Sequence, residues 1–163
     1  MGPDEPSLAA PHWRNTLSVG TAFHPRTASD NRKMQWREWS GYFAASVYAD
    51  YHDIEYNAIR EQAALIDVSP LYKYEVRGPD AERLVDRVIT RDATKLREGA
   101  VYYSPWCDED GKVVDDGTIH RLGSDRFRWT AADPQYRWLT MNAAGLDVEI
   151  GRASCRERVS SVV

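Results

Sequence analysis

Two adjacent acids, Asp115 and Asp116, sit inside the segment GAVYYSPWCDEDGKVVDDGTIHRL, from Gly99 to Leu122, where the flanking residues spell β-strand. Strand interiors are depleted in Asp, and a carboxylate turned into a packed sheet face must find partners or give up its charge. Neighbouring strand residues face opposite sides, so the two acids cannot share a proton across one face. One can point to solvent and the other into a cleft. The plainer alternative is that both acids solvate a strand that follows a hairpin turn.

The other constellations are weaker. DEDGKVVDDG has the look of a calcium loop, but placing Gly111 at the loop glycine puts Trp106 at the first ligand position and Gly117 where the bidentate Glu belongs. His120 and Asp116 share one strand face without a third ligand, so no metal site is expected. Cys107, with no partnered His in view, reads as a small hydrophobe. No dinucleotide, Walker or nucleophile-elbow signature occurs, and Trp129 and Trp138 read as core anchors.

Composition narrows the classes further. A chain of 163 residues, 42% hydrophobic and 28% charged, can bury one core and is neither disordered nor membrane-spanning in character. A net charge of −4 without a Lys/Arg-rich block speaks against nucleic acid or an anionic membrane, which leaves a small molecule or a protein as partner. Met1 is followed by a polar Pro- and Ser-containing stretch, not an apolar leader. Cys107 and Cys155 give neither metal spacing nor a disulfide framework, so a cytoplasmic, reducing location is expected.

The elements that must position the acids follow from periodicity. Residues 1–35 read as an irregular Pro-, Ser- and Thr-rich N-terminal arm that docks through Trp13 and Phe23. WREWSGYFAASVYADY, residues 36–51, is dense in rings that need burial. DIEYNAIREQAA predicts a helix with Asp53 as N-cap and Ile54, Ala58 and Leu65 near one face. LYKYEVR alternates as a strand, and after Gly78-Pro79-Asp80 the stripe Ala81, Leu84, Val85, Val88, Ile89 predicts an amphipathic helix. Strands are expected at about 100–107, 112–121 and 126–131, joined through Gly111 and Gly123 as antiparallel hairpins, then a helix at 134–142 and a strand at 146–150. The fold expected is α+β, a ferredoxin-like antiparallel sheet with helices on one face. The last residues, 150–163, show no period, carry three arginines and look like translated sequencing-adapter read-through fused to a truncated frame; they are expected to be a non-native tail.

The stretches EYNAIREQAALIDVSPLYKYEVRGPDAERLVDRVITRDATKL, GAVYYSPWCDEDGKVVDDGTIHRL and the run through PQYRWL, in this order and spacing, resemble the N-terminal folate-binding domain of the glycine cleavage system T protein, or aminomethyltransferase, family and its folate-dependent demethylase relatives. The resemblance spans about residues 41–149 and makes residues 36–149 a partial domain of that kind. It implies tetrahydrofolate as cofactor, a small-molecule or lipoyl-protein one-carbon donor as partner, and aminomethyl or methyl transfer as the activity, with a fragment this short inactive alone. In the family the first acid of the pair lies near the reacting amine, which gives Asp115 the catalytic and cofactor-binding role and leaves Asp116 solvated. Tyr103 matches a tyrosine lining the pterin side, and Leu71 matches a cofactor-contacting apolar residue, usually Met; both types are common in plain cores. Two departures touch the site: Ala131 or Ala132 stands where the T protein has Asn, and Pro70-Leu71 where it has His-Met, so the donor need not be lipoyl-bound. A non-enzymatic folate-binding module of the iron–sulfur assembly type is the alternative.

Overall fold

The computed structural model describes residues 18–152. The chain divides into two units, Met1–Ile66 and Asp67–Val163. The division falls just before the D-V-S segment, whereas the sequence placed a boundary near residue 35. Trp13 and the residues after Arg152 lie outside the described part.

In the first unit, a short helix α1 (His24–Thr27) and a 3-10 turn (Ala28–Asp30) precede a hairpin of β1 (Trp36–Trp39) and β2 (Tyr42–Ala45). Its two-residue loop, Ser40-Gly41, has positive φ at both positions (49° and 83°), the geometry that matches strand twist in tight hairpins. The aromatic-dense stretch therefore forms strands whose rings cluster with His24: His24 lies 4.7 Å from Trp36 and 5.9 Å from Phe43, centroid to centroid. Helix α2 (His52–Glu61) starts two residues earlier than an N-cap at Asp53 implies, with Tyr51 as N-cap and Asp53 inside the first turn. Glu55 accepts from the amides of Tyr48 (2.6 Å) and Ala49 (2.7 Å), so the turn before the helix is fixed from within it. The helix buries none of its residues, and Leu65 lies beyond its end, almost fully exposed.

The second unit has β3 (Tyr72–Arg77), α3 (Ala81–Val88), β4 (Val101–Cys107), β5 (Val113–Gly123), β6 (Arg126–Ala131), α4 (Tyr136–Asn142) and β7 (Glu149–Arg152). The strand order is β4-β5-β6-β3-β7, antiparallel throughout. The α+β class is as expected, with a β4-β5-β6 meander giving one strand more than the simplest β-α-β-β-α-β arrangement. β7 pairs Ile150, Gly151 and Arg152 with Val76, Glu75 and Tyr74, so the first residues of the expected tail belong to the sheet.

The stripe on α3 does what its period predicted. Ala81, Leu84, Val85 and Val88 are buried against Tyr74, Val76, Trp106, Ile119, Phe127, Trp129 and Ala131 of the sheet and Leu139 of α4. Trp106 and Trp129 meet edge to face at 4.7 Å. Every buried strand residue in this cluster has the parity of one sheet face, which both helices cover. The opposite face carries Tyr103, Asp116, Thr118, Arg128, Thr130, Lys73, Glu75 and Arg77.

Candidate functional site

The acid pair is split by the sheet. β5 slips register between Trp106 and Cys107 of its neighbour, leaving Val114 without a partner, and the bulge brings Asp115 opposite Trp106 on the helix-covered face. Two residues on, Gly117 is required: a Cβ there would lie 2.0 Å from the carbonyl oxygen of Thr130. A side chain at 117 would thus collide with the backbone of β6 beside the acids.

On the covered side Asp115 is fully occupied. Its Oδ1 accepts from the Asp116 amide (2.8 Å), and its Oδ2 accepts from Gln135 Nε2 (2.8 Å) and the Asp133 amide (3.3 Å). Gln135, buried at the start of α4, accepts at Oε1 from Trp106 Nε1 (3.2 Å), while its own amide donates to the Tyr74 hydroxyl (3.0 Å). Asp115 therefore ties β5 to the start of α4.

Asp116 is half-buried, and its carboxylate accepts no hydrogen bond from any described residue. It pairs with Pro105 on the open face. Along that face a cross-strand row runs Tyr103, Thr118, Thr130, Lys73. Tyr103 is 61% exposed, so it lines no core. Leu71, half-buried, ends the loop that leads into β3 at the same end of the sheet, because Tyr72 is level with Ala131 and Gly117. Of the two alanines, Ala131 is buried in the core, and Ala132 is exposed just past β6.

The structure thus places Tyr103 and Leu71 at the end of the open face where Asp116 also lies, and it turns Asp115 to the other side. The resemblance gave the site role to Asp115 and left Asp116 solvated, whereas the strand period separates their faces without saying which one the helices cover. Sequence reasoning also passed over Gln135, for which the sequence carries no local signal, and Lys73, which hides in the alternation of LYKYEVR.

Away from this end, the open face is salt-bridged. Arg126 forks onto Glu75 with two contacts of 2.9 Å, and Arg77 bridges Glu75 (3.3 Å) and Glu149 (3.6 Å). The Arg126 hydrogen bond above all holds the Glu75 carboxyl below its usual range. No cluster of three or more His, Cys, Asp or Glu among the described residues could hold a metal ion.

The sequence matches the family described as the GCVT N-terminal domain over residues 23–161. It is 36% identical over 136 residues to a trimethylamine-oxide aldolase of Ruegeria pomeroyi, covering 82% of this chain and 17% of that protein. It is 45% identical over 93 residues to an aminomethyltransferase of Symbiobacterium thermophilum, covering 55% of this chain and 24% of that protein. The chain thus spans less than a quarter of the length of either relative. Among solved structures, the glycine cleavage system aminomethyltransferase T of Bartonella henselae shares its fold at a TM-score of 0.62 and 21% identity, over 78% of this chain and 35% of that one.

Proposed function

Because the chain belongs to the family of the GCVT N-terminal domain, we propose that it is part of a tetrahydrofolate-dependent one-carbon transferase of the aminomethyltransferase type, with the ligand at the Asp116 end of the open sheet face. The observation that carries this reading is the unpaired, half-buried Asp116 carboxylate beside the exposed Tyr103 ring, the Thr118 and Thr130 hydroxyls and the Leu71 loop. An apolar wall, an aromatic face and one acceptor suit a flat heteroaromatic ring carrying amine protons.

When bound, tetrahydrofolate supplies the amine that takes up the one-carbon unit. Asp116 accepts a hydrogen bond from that amine, orients its lone pair and holds the proton that the amine loses. Tyr103 and Leu71 bound the ring, and the threonine hydroxyls meet its polar edge. Asp115 acts at one remove, holding the strand in the register that presents Asp116. The donor is an aminomethyl or methyl compound, and the departures at Pro70-Leu71 and Ala131-Ala132 leave it free of any requirement for a lipoyl carrier.

Calorimetric titration of the 163-residue chain with tetrahydrofolate tests the reading. Measurable binding that falls about tenfold or more in Asp116→Asn, the loss of a charge-assisted hydrogen bond, is expected. Absence of binding by the parent chain at millimolar ligand would remove the proposal. Turnover is expected only from a chain that extends to the full length of the relatives.

A further inference from the structure

We propose that Lys73 is a positioning residue, a buried cation on which the loop over residues 68–71 is wrapped so that Leu71 stands fixed beside the ligand. The inference rests on the folate reading above. Strand alternation puts Lys73 on the open face, level with Thr130. Farther along that side of β3, Glu75 is half-buried and Arg77 exposed, yet Lys73 is only 6% exposed.

Its burial comes from the loop folding back over the ammonium. Nζ donates to the carbonyls of Leu71 (2.7 Å), Val68 (2.8 Å) and Ser69 (3.3 Å). A Lys head is a compact charge with three donors on a flexible stem, and burying it is costly unless those donors are met. Carbonyls converging from three loop positions on one point are a geometry that this head satisfies and a planar guanidinium does not. The loop also closes on itself: Asp67 Oδ1 accepts from the Ser69 amide (2.9 Å), the Leu71 amide donates to the Val68 carbonyl (3.1 Å), and Pro70 is buried. Without the ammonium, three carbonyls turn towards water and the loop loses the centre it is built on. Leu71 then has no fixed place relative to Tyr103 and Asp116.

The test uses the whole chain and compares Lys73→Met, which keeps the stem, with Lys73→Arg, which keeps the charge. Amide hydrogen exchange at Ser69 and Leu71 is read against Leu84 and Val85 of α3, together with tetrahydrofolate affinity. In Lys73→Met, loop exchange about tenfold faster or more, α3 protection unchanged and affinity lower by about tenfold are expected, as for the loss of several hydrogen bonds to a charge. Lys73→Arg is expected to leave both defects in place. An undisturbed loop in Lys73→Met, unchanged affinity despite a loosened loop, or full rescue by arginine would each overturn the proposal. Should Lys73→Met not fold, the parent decides: a slowly exchanging Lys73 ammonium with NMR couplings to the Val68 and Leu71 carbonyl carbons is expected, and its absence overturns the assignment. If the parent fails to bind tetrahydrofolate, the functional reading falls, while loop exchange still decides whether Lys73 holds the loop.

Discussion

The side-chain amide of Gln135 is satisfied from both ends, accepting from Trp106 and donating to Asp115. Replacing it by Leu leaves a buried indole N–H and one carboxylate oxygen short of partners, a defect that costs about 1–3 kcal/mol for each buried group left unsatisfied. Urea unfolding of Gln135→Leu is expected to show a loss in that range with an unchanged slope. The acids should separate by the same measurement. Asp115→Asn removes the charge that three donors address and lowers stability, whereas Asp116→Asn alters stability by no more than about 0.5 kcal/mol, as at an unengaged surface position. A stability loss in Asp116→Asn as large as that in Asp115→Asn would contradict the two-sided placement. The sequence made the pair conspicuous because charge is rare inside strands. It could not show that Gln135, twenty residues away in the chain, claims one of them.

Among the elements, α3 was the most legible, because an apolar stripe at helical spacing has few alternative uses. Its burial is complete at Leu84 and Val85, and Leu84→Ala should cost about 2–5 kcal/mol by the usual sum of lost transfer energy and cavity. α2 was legible as a helix but not in its ends or its burial, since periodicity predicts a face and cannot supply the surface that covers it. The links around α3 carry a pH signature. Asp80, which accepts from the Asp147 amide and from Arg83, is held below the ordinary carboxylate range. Asp92, hydrogen-bonded first by Lys95 and then by Thr94, is lowered to about 2 from 3.8. Folded-state values below the unfolded ones mean stabilisation that is present above pH 3.8 and lost as the pH falls towards 2. Thermal unfolding across that window should show a falling midpoint, with a shallower fall in Asp92→Asn; an identical acid profile would place the loss elsewhere.

At the scale of the whole molecule, the buried core among the described residues lies in the second unit, from Tyr74 to Leu139, with Tyr72 and Ile150 among the half-buried residues packed against it. A chain beginning at Asp67 is therefore expected to unfold cooperatively, with a midpoint within a few degrees of the parent; a broad transition would mean that the first unit is needed for the fold. The sequence showed the order of elements from α2 onwards but not this division, because residues 36–51 read only as a ring-dense stretch and nothing in the pattern separates α2 from the strand that follows it. β7 shows the limit from the other side: its pairing with β3 is set by backbone hydrogen bonds, and residues without any apolar period, Gly151 and Arg152, take part in it. The five-stranded plate also uncouples two kinds of change. Positions 115 and 116 are covalent neighbours whose side chains face different demands, that of 115 tied into the fold and that of 116 turned to the open face. A lineage can therefore exchange the chemistry it serves by substitutions of one parity along β5, β6 and the start of β3, while the other parity continues to specify the same architecture.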